Sequence, residues 1–315
     1  MTLKAPQFWR KAGFLSLFLL PFGWLYGQIV AWRLKGHKSK VRVPVICVGN
    51  LTLGGSGKTP VVIALAQDFQ QLGHTPHILS RGYGGKGYQS LRVNTEQHTA
   101  AEVGDEALLL AEIAPTWVGA DRYQSAQAAI AAGATLLIMD DGLQNPTLYQ
   151  DFKIAVFDGQ IPLLNKRIFP AGPLREDLSK GLQRIDHVVL INFTSSPSWA
   201  DKLPCTLATT LSDQLPTEAQ YLAFAGIGYP EKFYKLLTKK GFNIIETYSF
   251  ADHHLYSKQE INELIQKAKE IKAHLITTEK DLVKIPKDAK KNIQSLKIRL
   301  EADLTEIVNK VLRFF

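Results

Sequence analysis

The sequence predicts an α/β fold built as a phosphate-binding α/β/α core, with a second, smaller α/β domain and a hydrophobic N-terminal helix. Three observations carry that expectation. The apolar run Val43-Pro44-Val45-Ile46-Cys47 leads into the glycine-rich Val48-Gly49-Asn50-Leu51-Thr52-Leu53-Gly54-Gly55-Ser56-Gly57-Lys58-Thr59, and a helical pattern over 61–66 follows. Short apolar runs alternate with helical patterns along the rest of the chain, as they do where helices cover a mostly parallel sheet. Thr135-Leu136-Leu137-Ile138-Met139 then ends in Asp140-Asp141-Gly142, a buried strand that delivers carboxylates to its tip.

The first of these stretches reads as strand, turn and helix start, which is the layout of a P-loop. Glycines let successive backbone N–H groups point inward, and the helix N-terminus behind them carries partial positive charge. Gly54, Gly55, Ser56 and Gly57 would cradle the phosphates of a nucleotide, Lys58 would reach the β/γ-phosphates, and the Thr59 hydroxyl would ligate Mg²⁺. The usual pattern has a glycine where this chain has Thr52. Gly54 and Gly55 supply the freedom instead. Asp140 and Asp141 match a Walker B strand, because Mg²⁺ needs hard oxygen ligands beside the phosphates. The core is therefore expected to be P-loop NTPase-like.

At 315 residues the chain exceeds what a single hydrophobic core usually fills, so a large domain with a smaller one is expected. Lys and Arg number 37 against 29 Asp and Glu, a net +8 that suits anionic substrates, an anionic membrane surface or nucleic acid alike. Cys47 and Cys205 make neither a metal-ligand spacing nor a disulfide framework, which suits a reducing cytosol where ATP is available.

Residues 12–32 contain no charged side chain, with Arg10 on one side and Arg33, Lys35, Lys38 and Lys40 on the other. A spanning helix needs about 20 apolar residues, and this stretch is interrupted by Gly13, Pro21, Gly23, Gly27 and Gln28. Phe22, Leu25, Ile29 and Trp32 recur at helical spacing, which suits a helix lying in a membrane interface with its cations on the headgroups. A spanning helix, an interfacial one and a helix buried against the main domain all stay open at this point.

Beyond the P-loop helix, the strand 77–80 ends in Arg81-Gly82-Tyr83, at the edge where open α/β sheets bind ligands. Asp105 and Glu106 open a helix, a position that ordinarily complements the helix dipole. Arg122 follows the strand ending near Ala120, and Arg175 is expected on a helix beginning after Pro173, where it could clamp phosphate. Around 194–217 composition shifts to Ser, Thr and Pro, which reads as a domain connection. A second α/β pattern then has strands over 221–225, 243–250, 275–278 and 297–300, with helices over 230–240, 258–272 and the C-terminus. The expected division is a hydrophobic segment 1–35, a P-loop core 36–212 and a smaller domain 213–315.

The stretches 48–60, Leu79-Ser80-Arg81-Gly82-Tyr83-Gly84, Gly104-Asp105-Glu106, Asp140-Asp141-Gly142-Leu143-Gln144, 170–176, Phe250-Ala251-Asp252-His253-His254 and Thr278-Glu279-Lys280-Asp281 together resemble, in order, the tetraacyldisaccharide 4′-kinase family, the lipid A 4′-kinases. The resemblance covers nearly the whole chain, and the Thr52 deviation looks like that family's own loop. It implies an enzyme at the cytoplasmic face of the bacterial inner membrane that moves the γ-phosphate of ATP to the 4′-hydroxyl of a tetraacyl disaccharide 1-phosphate. It further implies an Asp105–His253 dyad that activates the hydroxyl, with either residue as proton acceptor. Lys58 and Arg175 would neutralise the transferring phosphoryl and Gln144 would order the nucleotide or metal shell. Asn50, Ser80, Arg81, Tyr83 and Arg122 would serve the lipid headgroup. No nucleic acid and no obligate protein partner are implied. One departure stands out: many relatives have Phe and His where this chain has Leu143 and Asn145, and His254 is expected to be structural.

Other classes fit less well. A guanine-reading Asn-Lys-x-Asp is not matched by Thr278-Glu279-Lys280-Asp281, whose lysine comes one place late. A partition-type ATPase would carry lysine at Leu53. The aspartate clusters of a two-metal phosphoesterase are not evident.

Overall fold

The computed structural model describes residues 6–10, 13–54, 57–83, 85–87, 89–160, 163–213 and 215–315. Its strands are β1 (Val45–Gly49), β2 (Pro76–Ser80), β3 (Leu91–Arg92), β4 (Thr116–Val118), β5 (Leu136–Asp140), β6 (Phe152–Asp158), β7 (His187–Ile191), β8 (Cys205–Ser212), β9 (Gln220–Ala225), β10 (Asn243–Ser249), β11 (His274–Thr278), β12 (Ile293–Leu296) and β13 (Ile298–Ala302). A nine-stranded sheet has the order β13-β8-β7-β6-β1-β5-β2-β4-β3, and a four-stranded sheet has the order β10-β9-β11-β12. The mixed α/β expectation is met.

In the large sheet the strands from β8 to β4 run parallel, while the edge strands β13 and β3 run antiparallel to their neighbours. The central parallel strands β2, β5, β1, β6 and β7 are buried on both faces, hence their near-continuous apolar sequences. Alternate residues of β1 serve opposite layers. Ile46 and Val48 pack with Val61, Leu65 and Phe69 of the helix Lys58–Gln71, whereas Val45 and Cys47 pack with Ala126 and Ala129 of Arg122–Ala131. Strand order reverses around β1, which has β5 on one side and β6 on the other. Such a switch point opens a crevice beyond the carboxyl ends of the strands.

Three features differ from the expectations. The Ser/Thr/Pro-rich stretch expected to be a connection contains β8, whose alternating burial places Thr206 and Ala208 inward beside β7. Half of an edge-proximal strand faces outward, so its polar composition resembles a linker. Residues 298–315 were expected in the smaller domain, but β13 pairs with β8, and the helix Thr305–Val311 buries Ile307, Val308 and Val311 against the P-loop helix. Arg175 does not lie on a helix; it sits just after an isolated bridge that Leu174 makes to Thr52, and the helix begins only at Leu178, capped by Asp177.

The N-terminal helices Phe14–Phe18 and Leu20–Leu34 dock through few but specific contacts. Ser16 Oγ donates to the Ala171 carbonyl at 2.7 Å and accepts from Asn165 Nδ2 and Arg167 Nη1, each at 2.9 Å, so its bonding capacity is full. Most of the large apolar side chains remain outside; Phe14 is 85% exposed and Trp32 is 76% exposed. Among the described residues no helix is long and apolar enough to cross a membrane.

Candidate active site

The glycine-rich turn leaves β1 at the switch point. Gly54 has φ 102° and Gly57, the N-cap of Lys58–Gln71, has φ 79°. A Cβ on Gly57 would lie 2.7 Å from Ile191 Cδ1, so both conformation and space call for glycine there. Gly55 and Ser56 lie outside the described residues. Thr52, the deviation from the usual pattern, holds the turn in place. Its bridge to Leu174, together with Leu53 N–H donating to the Pro173 carbonyl at 2.7 Å, ties the turn to the loop that carries Arg175.

β5 is hydrogen-bonded to β1 in register Val48 with Asp140, so the two carboxylates arrive beside the phosphate turn. Asp141 takes a left-handed backbone, φ 53°, and its N–H donates to the Val48 carbonyl. Arg175 grips its carboxylate with both terminal nitrogens, at 2.9 and 3.0 Å, while Lys58 Nζ stands 3.8 Å away. Burial alone would raise the Asp141 pKa, but Lys58 and Arg175 bring it below the usual carboxylate value. Asp140 differs. It is buried, its Oδ1 has no hydrogen-bond partner, and burial together with Glu106 and Asp141 pushes its pKa up to about 7.

An orphaned, crowded carboxylate oxygen is what a hard divalent cation relieves. Thr59, buried at the start of the adjoining helix, stands with Asp140 and Asp141 in the donor set expected for Mg²⁺. The residues present therefore fit that ion.

Gln144 and Asn50 work within this scaffold. Gln144 Nε2 donates to Glu176 Oε1 at 2.9 Å and to the Asn50 carbonyl, while its Oε1 accepts from Arg175. Asn50 is fully buried; its Nδ2 donates to Thr52 Oγ1 and the Gly54 carbonyl, each at 3.3 Å, and its Oδ1 has no partner. Asn145 is a turn former whose Oδ1 accepts from the N–H groups of Thr147 and Leu148.

Asp105, the first residue of the helix Asp105–Ala111, is 5% exposed. Its Oδ2 lies 3.0 Å from Nδ1 of His253, which is carried by the loop after β10 in the smaller lobe. His253 holds a left-handed backbone at φ 56°, an uncommon geometry for a residue with a side chain. Burial would raise the Asp105 pKa, yet the His253 hydrogen bond and the charges of Lys280 and Lys284 bring it below its ordinary value. The same hydrogen bond raises the His253 pKa. His254 turns away, with Nε2 3.0 Å from Glu260 and its ring stacked on Phe250, as its structural reading requires.

The expected headgroup residues cluster nearby. Ser80 ends β2 and is buried, Arg81 is exposed, and the exposed Tyr83 ring lies 5.4 Å from the His253 ring. Arg122 is buried; its Nη1 donates to the Gly119 carbonyl and its Nε is without a partner. Burial and the neighbouring Arg81 lower its pKa to about 10 against the pull of Asp140.

The sequence model of the tetraacyldisaccharide-1-P 4′-kinases matches residues 15–314. The chain belongs to this family. A tetraacyldisaccharide 4′-kinase of Parvibaculum lavamentivorans is 43% identical over 299 residues, 90% of this chain and 87% of the relative. That of Jannaschia sp. is 41% identical over 326 residues, covering 98% and 99%. The crystal structure of LpxK from Aquifex aeolicus in complex with ATP superimposes with a TM-score of 0.79 at 30% identity, over 96% of this chain and 99% of that one.

Within this kinase-family fold, the structure adds charged residues to which sequence reasoning gave no role. Glu106 faces Asp140 electrostatically and pairs with Lys280 of the smaller lobe. Glu176 holds Gln144 and pairs with Arg184. Lys284 and Asp281 form a buried pair behind Asp105. Glu106, Glu176, Lys280 and Asp281 lie in stretches already singled out, whereas Lys284 and Arg184 lie outside them.

Proposed function

We propose that the chain is an ATP-dependent lipid kinase that phosphorylates the 4′-hydroxyl of a tetraacyl disaccharide 1-phosphate, a precursor of lipid A, at the cytoplasmic face of the inner membrane. The observation that carries this reading is the Asp105–His253 contact, made across two lobes beside Glu106, whose carboxylate feels Lys58 and acts in turn on Asp140. A hydrolase needs to place only water. A pair presented from the rim of a second lobe suits a bulky acceptor hydroxyl.

In this reading Lys58, with the turn's backbone N–H groups, holds the ATP phosphates, and the fork of Arg175 stands ready for charge on the transferring group. Thr59, Asp140 and Asp141 would hold Mg²⁺, which supplies further neutralisation of the β/γ oxygens. Asp105 and His253 orient the acceptor hydroxyl and take its proton, onto an Asp105 oxygen or onto His253 Nε2. Ser80, Arg81, Tyr83 and Arg122 serve the disaccharide phosphate.

The exposed apolar surface of 14–32 is read as an interfacial anchor. The 67 residues preceding Asp68 hold no Asp or Glu, and Arg33, Lys35 and Lys38 follow the exposed aromatics. That arrangement suits anionic headgroups.

The test is transfer of labelled γ-phosphate from ATP·Mg²⁺ to a tetraacyl disaccharide 1-phosphate in detergent micelles, with a lipid-free control. A labelled bisphosphorylated lipid is expected. Hydrolysis of ATP without lipid product, with the acceptor well dispersed, would overturn the reading in favour of a nucleotide-driven membrane module.

A further inference from the structure

The stretch Thr278-Glu279-Lys280-Asp281 takes no part in the chemistry above, yet all four of its side chains are buried or half-buried. Thr278 Oγ1 donates to Asp281 Oδ2 at 2.7 Å, and Glu279 accepts from the Ile298 N–H at 2.9 Å. Lys280 reaches across to Glu106. Asp281, fully buried, accepts from Gly226 N–H at 3.0 Å and Tyr256 O–H at 2.9 Å. It also binds Lys284 Nζ at 2.7 Å.

Lys284 is the unusual member. Its side chain is 1% exposed, its Nζ donates to the Gly226 carbonyl at 2.9 Å, and it lies 5.5 Å from the centre of the Tyr256 ring. The same Nζ stands 4.0 Å from Asp105 Oδ2, the oxygen that His253 holds. Burying an ammonium costs several kcal/mol of hydration, and an apolar side chain of similar size often serves stability as well. Stability alone gives this cation little reason to be there.

We propose that Lys284 is a positioning residue for phosphoryl transfer: it brings a buried positive charge to the Asp105 oxygen that His253 also holds, and so assembles the proton-accepting pair when the smaller lobe docks. Tyr256, on the loop that carries His253, and Gly226, on the loop after β9, are braced by the same Lys284–Asp281 unit, so one network sets both halves of the pair. The groups facing Asp105 are Glu106 on its own helix, His253 with Asp252 beyond it on the loop after β10, and Lys280 and Lys284 on the segment after β11, with Asp281 behind. Two cations thus balance Asp105 and Glu106 from one side, and His253 completes the site.

The role in turnover rests on the kinase reading, but the geometry can be tested without a lipid. His253 is titrated by NMR in isotope-labelled, ligand-free protein, with His253→Gln to assign its resonance. In Lys284→Met the Asp105 carboxylate loses a neutralising neighbour and holds the His253 proton more tightly. The His253 pKa is therefore expected to rise further, and lipid phosphorylation to fall about tenfold or more with ATP KM within about twofold. Lys284→Met leaves Asp281 charged and buried, so Lys284→Met/Asp281→Asn is measured beside it, and the same rise is expected. If Lys284 only braces the lobe, His253 drifts away from Asp105 and its pKa falls toward the ordinary value of about 6.5, which overturns the proposal. An unshifted His253 in both variants overturns it as well. A parent protein that hydrolyses ATP but labels no lipid, while His253 shifts upward as expected, defeats the kinase reading and leaves the placement of Lys284 standing.

Discussion

Asp140 and Asp105 show how neighbouring groups give two buried carboxylates opposite roles. Asp105 is held ionised by His253 and two lysines, so it serves acceptor chemistry. Asp105→Ala should lower turnover by about 10²-fold or more and leave ATP affinity nearly unchanged; equal losses in both would remove it from the acceptor side. The pH profile separates the two proton routes. If neutral His253 accepts, turnover rises with pH through a value above 6.5; if Asp105 accepts, it is already flat there. Asp140 carries a raised pKa, so the folded state binds more protons than the unfolded one between about 4 and about 7, and folding loses stability as pH rises through that window. Asp140→Asn should therefore raise the thermal midpoint of the metal-free protein at pH 8 by about 2 °C or more while abolishing any gain from added Mg²⁺. An unchanged midpoint, or an undiminished Mg²⁺ response, would contradict that account.

At the level of elements, the loop 163–176 links the apolar N-terminus to the phosphate turn. Trp9 Nε1 donates to the Pro170 carbonyl at 2.9 Å, the Tyr26 and Phe169 rings meet edge to face at 5.6 Å, and Arg175 Nε donates to the Thr52 carbonyl at 3.0 Å. Gly23 permits the close approach, because a Cβ there would lie 2.8 Å from the Ile168 carbonyl oxygen. Gly23→Leu should undock the helix Leu20–Leu34 and cost about 1–3 kcal/mol. Partition onto anionic vesicles should persist, since Trp24, Leu25 and Trp32 face outward already. Retained stability would show that the docking contributes nothing, and lost partition would show that the outward face is not the membrane face.

Across the whole molecule, ion pairs join the two lobes. Lys232 pairs with Asp158, Lys280 with Glu106, and Lys287 with Glu96 at 2.7 Å. Acid sensitivity comes from deeper inside. Burial lowers the pKa values of both His77, whose Nδ1 accepts from Trp117, and His187, which meets Thr206, to about 4. Both imidazoles are neutral in the fold, so stability is full above about 6.5 and is lost as pH falls toward 4, by up to about 1.4 kcal/mol per pH unit for each. The thermal midpoint should fall across that window, and more steeply in Asp140→Asn, which lacks the opposing contribution of Asp140. A flat profile would count against both assignments.

What could be read without coordinates was whatever local order writes into consecutive residues. Glycines before Lys58-Thr59 and an apolar run ending in Asp140-Asp141 each announce themselves, because a phosphate turn and a buried strand tip impose their residue types over a few adjacent positions. Even the pairing of Asp105 with His253, 148 positions apart, was available only through resemblance. Long-range decisions belonged to the tertiary structure. β13 completes the first sheet after the chain has already built a second, and half-exposed β8 looks like a linker, since sheet partners and edge positions depend on where distant strands return. Lys284, Lys280 and Glu106 read in sequence as ordinary solvated charges. Only packing two lobes together took water away from them, and a charge gains its meaning from the neighbours that replace that water.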